Sequence, residues 1–222
     1  MLRDDYYYRG LRFTIPRDLT TLVYRARLLW HGREVPERTL CTRHIPRDAT
    51  ILELGGCIGF ISCIVNRHLS APSRHVVIEA HPALIPYLHA NRDANAARFA
   101  IHHAVIGRES IAAFFLRDPY ALGSSMVRRS GREISVPALT VDAVQAAHGW
   151  RFDTLICDIE GGEADFFNDN KVLTEKLRAV VLEFHPHIIG ERRCQEIRAL
   201  LTAAGLARKE VIGDVEAWAR PA

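Results

Sequence analysis

Residues 51–60 of the chain read Ile51-Leu52-Glu53-Leu54-Gly55-Gly56-Cys57-Ile58-Gly59-Phe60. This pattern predicts a buried strand, a glycine-rich turn and the start of a helix, with an acidic residue inside the strand. In an α/β sheet, that order presents backbone N–H groups and a helix N-terminus to a nucleotide-like ligand. A second apolar stretch, residues 75–79, ends in Glu79, 24 positions after Gly55. A carboxylate at that place can bind ribose hydroxyls.

The spacing of the glycines distinguishes two classes of nucleotide-binding loop. The dinucleotide fingerprint has glycines at relative positions one, three and six. Here they stand at 55, 56 and 59, which gives the pattern E-x-G-G-x-x-G. This pattern is typical of the glycine loop of S-adenosylmethionine (SAM) methyltransferases, so we predict that the loop binds SAM. A purely structural turn and a nicotinamide dehydrogenase are the alternatives, and the spacing disfavours the second.

The composition is that of an ordinary globular protein. The chain has 222 residues, of which 48% are apolar and 25% charged, and this size suits one domain. A net charge of +3 is too weak to indicate a nucleic-acid partner. The five cysteines have no paired spacing, so we expect core residues and no disulfide framework or zinc site. The N-terminus lacks an apolar signal region, and no apolar run reaches a membrane span, so we predict a cytoplasmic protein without membrane contact.

Strands and helices alternate from residue 50 onward. The predicted strands are 50–54, 75–79, 99–106, 154–157 and 179–184, and the predicted helices are 59–69, 82–96, 141–148, 163–168 and 192–204. Residues 111–116 and 133–139 read as strands of an inserted hairpin or of a sheet edge, and residues 206–211 and 215–219 as a final antiparallel pair. Such alternation predicts an α/β fold with helices on both faces of a mostly parallel sheet. We assign it to the class I methyltransferase, Rossmann-like type, because a plain dehydrogenase domain lacks the terminal antiparallel hairpin.

The chain divides at the start of this alternation. Residues 49–222 are predicted to form the methyltransferase domain, and residues 1–48 an N-terminal extension. Within the extension, residues 6–15 suggest a short hairpin, and residues 18–31 carry apolar residues at helical spacing. The extension could act as a lid over the cofactor site or could be purely structural.

A second group of polar residues follows the fourth and fifth predicted strands of the sheet. Residues 157–163 read Cys-Asp-Ile-Glu-Gly-Gly-Glu, and the fifth strand ends in Glu183, followed closely by His185. Because ligands bind beyond the carboxyl ends of parallel strands, we expect Asp158, Glu160, Glu183 and His185 to meet near the methyl group to be transferred. A histidine or a carboxylate there can remove the proton of an alcohol acceptor, so we predict these four as catalytic residues.

Other interpretations of this group stay open. Glu163 can be a first-turn charge that interacts with a helix dipole, and His187 a surface loop residue. Asp158, Glu183 and His185 offer ligands for a divalent cation. Sequence spacing does not show whether they face one another, so a divalent metal is possible but is not favoured, and no metal ligand is assigned.

Several of these segments together resemble the FkbM family of SAM-dependent methyltransferases. The matching segments are residues 51–59, 77–82, 103–107, 123–126, 139–142, 155–163 and 181–185. The resemblance implies that the glycine loop binds the methionine part of SAM, Glu79 its ribose, and His103 and Ala104 its adenine. The full set of predicted cofactor-binding residues is Glu53, Gly55, Gly56, Cys57, Gly59, Phe60, Glu79, Ala80, His103, Ala104 and Ser125.

The resemblance also implies O-methylation of a small molecule such as a sugar, a polyketide or another secondary metabolite. An N-methyltransferase acting on an amino acid, a peptide or RNA is the alternative, with RNA disfavoured by the mild charge. A non-catalytic SAM-binding protein is a third possibility, and the acidic residues after the fourth strand argue against it. The expected partner is a small-molecule acceptor.

Overall fold

The computed structural model describes residues 5–20, 36–117, 124–127 and 131–221. Its strands are β1 (Asp5–Tyr8), β2 (Leu11–Thr14), β3 (Ile51–Leu54), β4 (His75–Glu79), β5 (Ala100–His103), β6 (Val105–Ile106), β7 (Ile111–Leu116), β8 (Arg132–Leu139), β9 (Thr154–Cys157), β10 (Ala179–Glu183), β11 (Ala207–Ile212) and β12 (Val215–Ala219). Its helices are α1 (Pro36–His44), α2 (Phe60–His68), α3 (Ile85–Ala94), α4 (Val141–His148), α5 (Glu163–Asp169), α6 (Lys171–Thr174), α7 (Pro186–Ile189) and α8 (Glu191–Ala203).

Seven strands form the main sheet, in the order β11-β12-β10-β9-β3-β4-β5. The pairs from β10 to β5 are parallel, whereas β12 is antiparallel to both of its neighbours. Leu54 is in register with Ile78 on one side and with Cys157 on the other. The carboxyl ends of β3, β4 and β9 therefore lie side by side, and the loops that follow them converge. The predicted parallel sheet with a terminal antiparallel pair is confirmed.

Helices cover both faces of this sheet. Leu52, Leu155 and Val180 face a core that also contains residues of α4, α5 and α8. Their strand neighbours Ile51 and Ile156 point the opposite way, into a core that contains residues of α1 and α2. Strands buried on both faces read as continuous apolar runs, which is why the sequence located them so closely.

The predicted strand 99–106 is interrupted at Ala104, and this corrects the sequence-based prediction. β5 ends at His103, and the Ala104 N–H then bonds to the carbonyl oxygen of Glu79 across the sheet edge. The chain turns there, and β6 joins a separate three-stranded sheet in the order β6-β8-β7. The predicted inserted hairpin, β7 and β8, forms the other two strands of this small sheet. The break places the small sheet beside the carboxyl ends of the main strands.

The N-terminal hairpin packs on the outside of two helices. β1 and β2 pair antiparallel, and the Phe13 ring lies 4.9 Å from the ring of Phe60 at the start of α2. The side chain of Asn91 on α3 accepts from the Thr14 N–H at 2.7 Å and donates to the Thr14 carbonyl oxygen at 3.1 Å. Residues 5–20 do not line the cavity described below. The predicted helix 18–31 falls mainly outside the described residues, and the lid role stays a prediction.

Two further features of the fold concern the cysteines and the length of the helices. All five cysteines are free thiols, and Cys41, Cys63, Cys157 and Cys194 are buried. No helix within the described part of the chain is long and apolar enough to span a membrane.

Candidate active site

A cavity of about 970 Å³ opens at the carboxyl ends of β3, β4 and β9. Gly55 and Cys57 of the glycine turn, Glu79 after β4, and Asp158 and Glu160 after β9 all line its wall. The break after β5 contributes Ala104, and the β4 loop contributes Ala80. The cavity therefore lies where the sheet topology places a ligand, and it contains residues from both groups predicted from the sequence.

Gly55 brings the loops after β3 and β9 into direct contact. Its φ of +87° is one that side chains rarely adopt, and a Cβ at this position would lie 1.8 Å from the carbonyl oxygen of Asp158. Only glycine permits this approach. Gly55 also lines the cavity, so the backbone of the turn is accessible to a ligand there.

Glu79 is a buried acceptor held by backbone donors. Its Oε2 accepts from the Cys57 N–H and its Oε1 from the His81 N–H, both at 2.7 Å. Burial outweighs these hydrogen bonds and raises the pKa of Glu79 to about 7. Because each carboxylate oxygen can accept more than one hydrogen bond, the group can still accept from two vicinal hydroxyls. The carboxylate thus fits the ribose of a nucleoside.

Four residues of the glycine loop predicted to contact the cofactor do not line the cavity. Glu53 accepts from Ser62 Oγ at 2.6 Å, and its other oxygen lies 2.7 Å from His75 Nε2, so its side chain forms a buried network under the loop. A Cβ on Gly56 would lie 2.2 Å from Val77 Cγ1, and one on Gly59 2.8 Å from Leu88 Cδ1. Phe60 packs against the rings of Tyr6, Tyr8 and Phe13. These four residues therefore support the turn and do not contact the cavity.

His103 and Ser125 form hydrogen bonds that connect neighbouring loops, and neither residue lines the cavity. His103 Nε2 lies 3.0 Å from the carbonyl oxygen of Ala80, so the ring bridges the loops after β4 and β5. Ser125 Oγ donates to the carbonyl oxygen of Glu160 at 2.6 Å. This bond attaches the segment 124–127 to the acidic loop after β9. Both residues are placed to hold the walls of the cavity in position.

The four predicted catalytic residues are brought together around His185. Its Nε2 lies 3.5 Å from Asp158 Oδ1 and 3.6 Å from Glu160 Oε2. Carboxylate oxygens of Asp158, Glu183 and Glu37 lie within 4.8 Å of one another. Asp158 and Glu160 line the cavity, whereas Glu37, Glu183 and His185 lie behind them.

Burial and the crowding of negative charge shift the pKa values of the residues around His185. Burial and the charges of Glu183 and Glu37 hold the pKa of Asp158 well above its usual range. Burial and the charge of Glu183 raise the pKa of Glu37 to about 8. Burial lowers the pKa of His185, but the bond to Glu163 and the nearby carboxylates outweigh it and raise that pKa to about 9. Such shifts are common where groups accept and release protons.

Glu37 and Glu163 were not predicted as site residues. Glu163 is fully buried at the start of α5, and its Oε1 lies 2.9 Å from His185 Nδ1. Glu163 does lie in the first turn of its helix, as the helix-dipole interpretation expected, but its burial and its bond to His185 place it in the site as well. Glu37 comes from the first turn of α1, which packs against β10 and β12. No local pattern in the sequence marks it, since only the tertiary packing of α1 brings it to the strand ends.

Known proteins share this architecture. An O-methyltransferase of Bacillus cereus, solved in complex with S-adenosylhomocysteine, superposes with a TM-score of 0.51 at 16% identity and covers 89% of this chain and 87% of its own. Cofactor-bound Rv0187 from MTB gives 0.52 at 13% identity, with 92% and 82% covered. TYW2 of M. jannaschii in complex with AdoMet gives 0.51 at 14% identity, with 100% and 89% covered. At these identities the likeness shows the fold, which is that of class I SAM methyltransferases. Among curated protein sequences, none matches this chain.

The sequence profile of the methyltransferase FkbM domain matches residues 53–206. The matched range starts in β3, ends just before β11, and includes Gly55, Glu79 and the acidic loop after β9. Because this match spans most of the chain, the chain belongs to the FkbM family of SAM-dependent methyltransferases.

Proposed function

We propose that this methyltransferase transfers the methyl group to a hydroxyl oxygen of a small molecule. The observation that carries the proposal is the position of Asp158, which belongs to both halves of the site. Its carbonyl oxygen lies against Gly55 in the glycine turn, and its carboxylate lies 3.5 Å from His185 Nε2. A ligand along the glycine turn is therefore next to a group of proton acceptors.

The half of the cavity between Gly55 and Ala104 suits SAM. Glu79 would accept from the ribose hydroxyls, and the small side chains of Ala80 and Ala104 leave room for the flat adenine. Cys57 would face the methionine part. When bound, SAM supplies a methyl group whose carbon bonds to the acceptor oxygen as the carbon–sulfur bond breaks and its electron pair goes to sulfur.

The other half of the site suits an acceptor that must lose a proton. A hydroxyl oxygen is a poor nucleophile until a base removes its proton, whereas a neutral amine already carries a free electron pair. The carboxylates of Asp158 and Glu160, which line the cavity beside His185, can receive that proton. Among the described residues, no lysine or arginine lies within 4.0 Å of these two carboxylates, so nothing else there neutralises them. This environment supports oxygen over nitrogen as the acceptor atom.

The size of the cavity supports a small molecule. Its volume of about 970 Å³ lies at the upper end of the range for single-ligand pockets, about 300–1,000 Å³. That volume suits SAM together with a compact acceptor. We place the acceptor among sugars, polyketides and other secondary metabolites, the substrate classes that the family resemblance implies.

A turnover assay tests this function. The purified protein is incubated with SAM and panels of hydroxylated and aminated small molecules, and mass spectrometry detects the gain of one methyl group. Fragmentation then locates that group on oxygen or nitrogen. We expect a hydroxylated acceptor to gain the methyl group on oxygen, together with stoichiometric S-adenosylhomocysteine. A methyl group on nitrogen, or no product with either panel, would contradict the proposal.

Glu79→Ala is expected to weaken SAM binding at least about tenfold, because the ribose loses charge-assisted hydrogen bonds worth about 1.5–3 kcal/mol each. The wild type should also lose affinity in acid. Glu79 must be ionised to accept both hydroxyls, and its pKa is raised to about 7. Affinity should therefore fall about tenfold from about pH 8 to about pH 6, since each pH unit below the pKa costs about 1.4 kcal/mol.

Calorimetry across this pH range measures both effects, and Glu79→Gln is the matched control. The amide keeps the size of the side chain but does not titrate, so its SAM affinity should be flat where the wild type changes. Equal pH dependence in the two proteins would mean that another group is responsible.

A further inference from the structure

His185 is held in an orientation that leaves one ring nitrogen free. Its Nδ1 lies 2.9 Å from Glu163 Oε1, which also accepts from the Gly161 N–H at 3.1 Å. A carboxylate only accepts, so Nδ1 carries a proton and donates it to Glu163. Histidines that bind metal ions commonly donate their second ring N–H to a carboxylate, which fixes the ring and directs the other nitrogen at the metal. Glu163 is in the position of that carboxylate.

The free nitrogen, Nε2, faces two carboxylate oxygens, and the distances fit three atoms that bind the same metal ion. Nε2 lies 3.5 Å from Asp158 Oδ1 and 3.6 Å from Glu160 Oε2, and one ligand atom from each of the three residues lies within 4.8 Å of the others. Ligands about 2.1 Å from a tetrahedral ion are about 3.4 Å apart. A proton on Nε2 fits less well, because charge-assisted hydrogen bonds are shorter, about 2.7–2.9 Å.

Two facing polar atoms in this group lack hydrogen-bond partners among the described residues, and one of them, Asp158 Oδ1, is itself buried. The His185 side chain is only 7% exposed, and its Nε2 makes no hydrogen bond to any residue that the structure describes. Asp158 Oδ1 is buried and likewise has no hydrogen-bond partner in the described ranges. Buried polar atoms are normally satisfied, so an unpaired Asp158 Oδ1 that lies 3.5 Å from His185 Nε2 fits two atoms that bind the same ion.

The carboxylates gathered around His185 favour a divalent cation. Asp158, Glu160 and Glu163 all lie within 4.0 Å of His185, and oxygens of Glu37 and Glu183 lie within 4.8 Å of an Asp158 oxygen. Within the described part of the chain, His185 is the only basic side chain within 4.0 Å of any of these five carboxylates. A neutral imidazole that binds the ion through Nε2 offsets none of these negative charges, so a divalent ion would neutralise part of them.

We propose that Asp158, Glu160 and His185 bind one divalent cation of the type that prefers mixed nitrogen and oxygen ligands, such as Mn²⁺, Fe²⁺, Co²⁺ or Zn²⁺. This reverses the preference drawn from the sequence, which did not favour a metal. Asp158 and Glu160 line the cavity, so the remaining coordination positions face the acceptor.

The consequence for substrate choice rests on the proposed O-methylation. A hydroxyl bound to the cation releases its proton more readily, and the resulting oxygen attacks the methyl group. The proton leaves to solvent or to a carboxylate of the site that does not bind the metal. The acceptors selected would be those whose hydroxyl can coordinate a metal ion, above all those with a second oxygen close enough to chelate it.

Titration of the purified full chain with Mn²⁺ tests the site directly, without any substrate. Electron paramagnetic resonance distinguishes free from bound Mn²⁺, and we expect about one tight site per chain. His185→Gln, Asp158→Asn and Glu160→Gln should each abolish that site. Glu163→Gln should weaken it about 10–100-fold through the orientation of His185. Glu196→Gln, an exposed carboxylate on α8, is the control and should bind Mn²⁺ like the wild type.

The outcomes separate the metal site from the proposed function. Circular dichroism verifies the fold of each variant, and Glu160→Gln serves if another ligand variant does not fold. A wild-type protein that leaves Mn²⁺ free overturns the metal site, as does a Glu196→Gln variant that loses Mn²⁺ as fully as Asp158→Asn. O-methylation that persists in excess chelator would also overturn it while leaving the proposed function intact. Tight Mn²⁺ binding without O-methylation of any hydroxylated acceptor would support the site and contradict the function.

Discussion

Asp158→Asn is expected to lower turnover by about 10²–10⁴, the contribution of a positioned proton acceptor or its metal ligand, while SAM affinity changes far less. The amide keeps the size of the side chain, so the backbone contact between residue 158 and Gly55 is retained. What is lost is the negative charge beside His185 Nε2, 3.5 Å away. His185→Ala should cause a loss in the same range, because it removes the other partner of this pair.

This prediction is specific because turnover should fall while SAM affinity stays nearly unchanged. Single-turnover kinetics at saturating SAM measures the chemical step, and calorimetry measures SAM affinity separately. Glu196→Gln on α8 removes a carboxylate from an exposed surface pair and should match the wild type in both measurements. Near-normal turnover in Asp158→Asn and in His185→Ala would assign the acidic loop a structural role.

Gly55→Ala should destabilise the fold by about 3 kcal/mol or more, because it combines a strained backbone with an overlap. The new Cβ would lie 1.8 Å from the carbonyl oxygen of Asp158, and this oxygen belongs to the backbone and cannot rotate away. Relief requires the loops after β3 and β9 to separate. The cofactor half of the cavity would open, so SAM affinity should also fall in any protein that still folds.

Gly149→Ala is a matched control for this effect. Gly149 has a similar positive φ of +74°, but an added Cβ would meet nothing within 4 Å. It should therefore cost only the backbone strain, about 1–2 kcal/mol. Urea unfolding measures the loss of stability in both variants, and the difference between the two losses gives the cost of the steric overlap. Equal losses would mean that the contact between Gly55 and Asp158 carries no cost of its own.

The sequence located most of the sheet because its signals are local. Buried parallel strands are continuous apolar runs, and β4 and β9 have the predicted bounds, 75–79 and 154–157. Helix α4 also matches its prediction, since Thr140 caps it by accepting from the Ala143 N–H and Gly149 ends it. The break at Ala104 was missed, because apolar residues resume directly after His102 and His103 and only pairing with β8 separates the two strands.

The candidate site was predictable as a location but not in its detailed contacts. Strand-end residues such as Glu79 and Asp158 reach the cavity because the topology places every parallel strand end at one edge. Glu53 differs because its position inside β3 directs it into a network with Ser62 and His75. The pairing of His185 with Glu163 depends on where α5 packs, which spacing does not determine.

If SAM and the acceptor bind as proposed, the contact between Gly55 and Asp158 also couples the two binding events. SAM along the glycine turn and an acceptor at the acidic loop would share the Gly55–Asp158 wall, which has no room for even one added methyl group. A ligand that shifts this wall would change the free energy with which the other ligand binds. By thermodynamic linkage the effect is reciprocal, so the factor by which the acceptor alters SAM affinity must equal the factor by which SAM alters acceptor affinity.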